Sequence, residues 1–202
     1  MGRDALKGTM VIGVWGKYCA GKNTIVRILK DYGFYNIDMD DLGHLALEEK
    51  KEDVIKQFGN RILDEEGNIS RPLLGKIVFS NAKALHNLEK ILQPLIVGKV
   101  RDILRKRNGE KLAINGIILF SAGLHKFCEF VIWVKAPILI RIKRGLMRDN
   151  LSVVEVGKRI WVQRKLSPQS YENDVDIYIV ENPENHGDLE KEIKSILACK
   201  GL

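Results

Sequence analysis

Cysteine is scarce in this chain: three residues, at 19, 128 and 199, among 202. They form no metal-ligand spacing and are too few for a disulfide scaffold, so the expected compartment is the cytoplasm. Long apolar runs are missing too. No window reaches the length of a membrane span, and the N-terminus lacks the apolar core of a signal peptide, so no membrane partner is expected. Gly2 follows Met1, but Leu6 stands where a myristoylation motif needs Ser or Thr. Residues 1–9 read as a loose polar leader, with Met1 and Met10 both available as starts. Internal repeats and low-complexity tracts are absent. So is a basic stripe interleaved with aromatics, the pattern of single-strand binders. The net charge of +7, from 33 basic and 26 acidic residues, favours anionic partners in general. Its densest basic run, 101–111, falls at the end of a predicted helix, where cations offset the helix dipole. No nucleic-acid partner is expected. What remains is an ordinary globular composition, 45% hydrophobic and 29% charged, long enough to bury a substantial core.

One stretch organises the rest: Gly16-Lys17-Tyr18-Cys19-Ala20-Gly21-Lys22-Asn23-Thr24. Residues 10–15 before it are short, apolar and β-branched, as a buried parallel strand would be. After it, Ile25, Ile28 and Leu29 share one helical face. Strand, glycine-bounded loop, lysine and helix make the layout of a phosphate-binding P-loop. Glycines let successive N–H groups turn inward, and the helix adds unpaired N–H groups and the positive end of its dipole. Lys22 would reach the β- and γ-phosphates as a mobile point charge. The motif asks for a hydroxyl on Mg²⁺ at the next position, where this chain has Asn23. An amide oxygen can face a hard cation directly or through water.

Residues 34–37 predict a second strand, ending in Asp38-Met39-Asp40-Asp41. Ligands of open α/β sheets gather at the carboxyl ends of strands, so this acidic cluster should face the P-loop crevice. Strand alternation would send Asp38 and Asp40 to the same side. The simpler role is capping, with Asp40 or Asp41 starting a helix over 42–49. Residues 42–107 read as helical: Val54, Ile55 and Phe58 at helical spacing, a turn at 64–68, a helix opened by Arg71-Pro72, and an apolar stripe expected to kink at Pro94. Strands resume at 112–120, 130–134 and 177–180. That order predicts a parallel α/β sheet covered on both faces, with a helical insertion. Between the last two strands, 137–169 is a basic helical hairpin, with Arg141, Arg144, Arg148, Arg159 and Arg164 and a capping box at Ser152 and Glu155. It is a candidate lid over transferred phosphate.

With these parts in place, the chain resembles the dephospho-coenzyme A kinase family of P-loop kinases. The resemblance spans 11–182 and rests on the P-loop, Asn36-Ile37-Asp38-Met39-Asp40, Gly75-Lys76-Ile77-Val78-Phe79, Gln93-Pro94-Leu95-Ile96, Arg144, Arg148, 159–163 and 174–182. It implies a five-stranded parallel core with helices on both faces, a helical substrate-binding insertion and a helical lid. The nucleotide-binding core would be 10–40 and 108–202, with the lid at about 138–170 and the insertion at 41–107. The implied reaction moves the γ-phosphoryl of ATP to the ribose 3′-hydroxyl of dephospho-coenzyme A. Asp40 is the candidate base, with Lys22, Arg144 and Arg148 neutralising charge on the phosphoryl group. Gly16, Cys19, Ala20, Gly21, Lys22, Asn23, Thr24 and Asn182 would bind nucleotide, and Asn23 and Asp38 would hold Mg²⁺. A monomer is expected, with a homo-oligomer left open. Three residues depart from the family pattern: Asn23, Gln93 in place of a usual histidine, and Ser121 in place of a usual glutamate. The alternatives are another small-molecule P-loop kinase, such as a nucleoside monophosphate kinase, or a nucleotide-binding homologue with reduced or lost catalysis.

Overall fold

In the computed structural model, which describes residues 8–149, 152–183 and 188–202, the apolar stretch before the P-loop is strand β1 (Met10–Gly16), buried along its length after Met10. Four parallel strands flank it: β2 (Tyr35–Asp38), β3 (Lys111–Asn115), β4 (Phe130–Lys135) and β5 (Asp176–Glu181), in the order β2-β3-β1-β4-β5. Parallel neighbours need crossovers, and helices supply them here. Val11 and Trp15 of β1 point to one face, packing with Ile96, Val100 and Leu104; Ile12 and Val14 point to the other, packing with Ile25, Leu29 and Ile193. Burial on both faces is why these strands read as unbroken apolar runs rather than alternating ones. The predicted fold class is the one observed.

The helices are α1 (Lys22–Asp31), α2 (Met39–Glu49), α3 (Lys51–Phe58), α4 (Arg71–Val78), α5 (Ala82–Lys106), α6 (Ile138–Asp149), α7 (Val153–Val162) and α8 (Leu189–Cys199). Helices α2 to α5 occupy the predicted insertion and share an apolar cluster of Leu47, Val54, Phe58, Ile62, Leu74 and Val78. The turn at 64–68 closes as Asp64 Oδ1 accepts from the N–H groups of Glu66 and Asn68. Helix α5 runs through Pro94 as one 25-residue element. In the hairpin of α6 and α7, Ser152 and Glu155 form both halves of the capping box. No helix among the described residues is long and apolar enough to cross a membrane.

Three local expectations are corrected. The apolar run 112–120 forms a strand only to Asn115, where its pairing with β1 ends. At Gly116 a side chain would come within 2.5 Å of Met39 Cβ, and beyond it the chain turns, burying Leu119 and Phe120. The helix expected over 42–49 begins at Met39, because Asp38 is its N-cap and accepts from the Asp40 N–H at 2.9 Å. Asp40 therefore sits in a helical first turn, and strand alternation has no part in orienting it. Thr9 is no part of a loose leader: it is buried, its Oγ1 donating to Asn108 Oδ1 at 2.7 Å and accepting from the Gly109 N–H at 2.6 Å. Residues 1–7 of that leader lie outside the described residues.

Candidate phosphoryl-transfer site

The P-loop is shaped by what surrounds it. At Gly16 a side chain would meet the Val134 carbonyl at 2.6 Å, so only glycine lets β1 leave the sheet beside β4. Gly21, the N-cap of α1, has φ 98°, and a side chain there would strike Asn182 Nδ2. Between them Cys19 takes φ 57°, and the Ala20 N–H donates to Lys17 O at 3.1 Å. Inside the helix mouth, the Thr24 N–H donates to Gly21 O at 3.0 Å. The N–H groups of Cys19, Gly21, Lys22 and Asn23 have no acceptor among the described residues. The first turn of α1 carries no acidic residue. Unpaired donors at a helix start with no internal anion make an anion site.

Lys22 donates to Gly16 O at 3.3 Å. Burial pushes its ammonium below the usual 10.5; the Asp40 carboxylate works against that shift, Arg148 adds to it, and Cys19 and Asp38 oppose it. Lys22, Asp40, Arg148 and Asp38 thus share one electrostatic neighbourhood, although four separate elements supply them.

Asn115, at the end of β3, joins two of the predicted residues. It is 2% exposed, and its Nδ2 donates both to Asn23 Oδ1 and to Asp38 Oδ2, each at 3.2 Å. Its own Oδ1 is buried with no partner. Asn115 is not among the predicted site residues; its only signal in the sequence is a lone amide at the carboxyl end of an apolar strand. Asn23 and Asp38 offer hard oxygen donors on one side of a buried amide, which fits Mg²⁺. No group of three or more His, Cys, Asp or Glu among the described residues forms a protein cage. A cation here would take most of its ligands from phosphate and water, as Mg²⁺ usually does.

The hairpin lies directly on the loop. Arg144 reaches Ala20 O (3.4 Å), Asn182 O (3.5 Å), Asn182 Oδ1 (3.4 Å) and Pro183 O (3.0 Å). Asn182 is fully buried, its Nδ2 donating to Ala20 O at 2.9 Å, so its amide braces the loop from behind. Arg148 lies 5.4 Å from the centre of the Tyr18 ring. Arg141, left out of the predicted site, is 6% exposed and donates from Nε to Tyr18 O at 2.8 Å. Only the packed hairpin reveals it, because sequence gives every arginine of a basic helix the same weight.

On α2, Asp40, His44, Leu47 and Glu48 fall on one helical face. That face leads from Lys22 to a cleft of about 330 Å³ lined by His44, Leu47, Glu48, Lys51, Asn68 and Arg71. From Asp40 to Glu48 the helix rises roughly 12 Å.

A family model described as dephospho-CoA kinase matches residues 10–186. The dephospho-CoA kinase of Borreliella burgdorferi is 35% identical over 196 residues, covering 96% of this chain and 94% of its own. A crystal structure from Thermus thermophilus superposes with a TM-score of 0.74 at 26% identity, over 94% of this chain and 97% of that one. Shikimate kinase from Acinetobacter baumannii, solved with shikimate, shares the fold at a TM-score of 0.52 and 16% identity, over 98% and 96% of the two chains.

Proposed function

Because the chain belongs to the dephospho-CoA kinase family, we infer that it moves the γ-phosphoryl group of ATP to the ribose 3′-hydroxyl of dephospho-coenzyme A, the last step of coenzyme A biosynthesis. The 3′-oxygen bonds to the γ-phosphorus, the bridging bond to the β-phosphate breaks, and ADP leaves. Such transfer needs positioning and charge neutralisation more than covalent help from the protein.

The observation that carries the assignment of roles is Asn115 joining Asn23 at the start of α1 to Asp38 at the start of α2, beside the unpaired N–H groups of the phosphate loop, with the Asp40 carboxylate favouring the charged form of Lys22. Lys22 and the unpaired N–H groups of Cys19, Gly21, Lys22 and Asn23 would hold the phosphates, with Gly16 and Ala20 shaping the loop. Asp40 would take the proton from the 3′-hydroxyl, standing at the start of α2 where the acceptor enters. Arg144 and Arg148 would bear on the transferred group from the lid. Thr24 would bond the α-phosphate, and Asn182 would act through the loop it braces. Asp38 and Asn23, held by Asn115, would hold Mg²⁺, which supplies charge neutralisation on the β- and γ-phosphate oxygens.

The insertion, 41–107, would bind the acceptor, and 10–40 with 108–202 the nucleotide. The separate apolar cluster of the insertion supports that division. The acceptor would lie along the Asp40 face of α2, with its diphosphate in the cleft beside Lys51 and Arg71. Those two cations suit the diphosphate of dephospho-coenzyme A. The enzyme would act as a monomer in the cytoplasm; that none of its cysteines forms a disulfide among the described residues supports the reducing compartment.

An ADP-release assay across acceptors tests the reading. Dephospho-coenzyme A should give ADP in proportion to coenzyme A formed, while shikimate and nucleoside monophosphates should not. ADP release independent of acceptor, or faster with another acceptor, would overturn it.

A further inference from the structure

Tyr18, inside the P-loop, is 8% exposed, and its ring is seated in the hairpin. Val156 and the partly buried Ile142, Leu146 and Ile160 pack around it. Gly145 leaves room for it: a side chain there would come 3.0 Å from Tyr18 Cε1. The main chain of the same residue is held from both ends, its N–H donating to Gln163 Oε1 and its carbonyl accepting from Arg141. Val156 and Arg159 of α7 and its C-cap Gln163 recur at i, i+3 and i+7, so one face of α7 and its C-terminal end lie along this residue. The root of the lid is thus fastened to the phosphate loop.

Arg159 has a second neighbour. Its guanidinium lies 5.3 Å from the Tyr18 ring and 5.2 Å from the ring of Phe79, both within cation–π range. Phe79 is the C-cap of α4 and packs on the apolar cluster of the insertion. Arg71, at the other end of α4, lines the cleft. One short rigid helix, roughly 12 Å from end to end, therefore runs from the cleft to the guanidinium that touches the phosphate loop. Glu155, one turn before Arg159, also feels Lys76 of α4, beyond the larger influence of Ser152.

We propose that Arg159, clamped between Phe79 and Tyr18, is a positioning residue that ties occupancy of the insertion cleft to the setting of the phosphate loop. This rests on the acceptor reading above. A shift of α4 on acceptor uptake moves Phe79 against Arg159, and Arg159 carries that shift to Tyr18 and the hairpin. Planarity is the chemical requirement, since only a flat cation stacks against two rings at once. Lysine keeps the charge but not the stack. By linkage, the factor by which ATP tightens acceptor binding equals the factor by which acceptor tightens ATP.

Calorimetry with dephospho-coenzyme A and the β,γ-imido analogue of ATP measures that factor in both directions. The native enzyme should show about fivefold or more, the lower end of measured couplings. Arg159→Lys and Phe79→Leu should bring it near one, with each ligand alone binding within about threefold of native. Tyr18→Phe, which keeps the ring, should retain it, and Tyr18→Leu should lose it. Had Arg159 served only as a phosphate cation, Arg159→Lys would preserve the factor and Phe79→Leu would leave it untouched; either result overturns the proposal. So does a native enzyme that phosphorylates dephospho-coenzyme A with no linkage. A native enzyme that neither binds nor phosphorylates that acceptor overturns the functional reading first, and this proposal with it.

Discussion

Gln93 on α5 donates from Nε2 to Oγ of Ser121, in the turn after β3, at 3.5 Å. Two of the three departures from the family pattern therefore face each other. Where the resemblance leads one to expect a histidine and a glutamate, this chain holds an amide and a hydroxyl in hydrogen-bond contact. A paired exchange predicts coupling. Gln93→His with Ser121→Glu should be more stable than the two single changes add up to, by about 0.5–1 kcal/mol near pH 6, the worth of an exposed ion pair. Urea unfolding of the four proteins measures it. Strict additivity would show that the two positions vary independently.

Asp40 is read as the base, whereas Asp38 caps the helix. Asp40→Asn removes the charge and keeps the size. Turnover should fall by roughly 10²–10⁴, the usual worth of a positioned base. The loss of one first-turn carboxylate should cost only about 0.3–1 kcal/mol of stability. ATP and acceptor dissociation constants should stay near native. Turnover, both constants and melting temperature together check it; native turnover would pass the role to another group.

Asn23 and Asp38 share the amide of Asn115. If Asn23 is a lengthened stand-in for a metal-facing hydroxyl, Asn23→Ser should lower the Mg²⁺ concentration that gives half-maximal rate. Asn115→Leu, which frees both oxygens from their shared donor, should raise it. Mg²⁺ titrations of the rate decide. A Mg²⁺ requirement that stays put in both proteins would take Asn23 and Asp38 out of the metal's surroundings.

His125 is 6% exposed, stacked on Phe120 at 4.6 Å, and its Nδ1 is buried without a partner. Burial lowers its pKa below the usual 6.5, with Asp174 and the hydrogen bond to Leu119 opposing. In the window below 6.5 the unfolded chain binds more protons than the folded one, so stability rises with pH there and is lost as pH falls. His125→Phe keeps the stack and removes the titration. Its melting temperature should fall less than the native one between pH 7.5 and pH 5.5. An equal fall in both proteins would place the acid sensitivity elsewhere.

Local pattern was enough for the strand, loop and helix around Lys22, for the capping box at Ser152, and for the order of elements that makes the sheet parallel, because each depends on residues a few positions apart. It failed where a neighbour distant in sequence decides. The strand ending at Asn115 is set by the end of its pairing with β1 and by Met39 against Gly116, neither visible in an apolar run. The helix beginning at Met39 came from a choice among three aspartates that only backbone geometry makes. Tertiary packing alone brought Asn115 between Asn23 and Asp38, put Arg141 under Tyr18, and set Arg159 between two rings from different parts of the chain. Motifs mark the groups that meet phosphate because glycine and lysine chemistry there is local. The residues that orient those groups act through contacts between distant segments, which only the folded chain brings together.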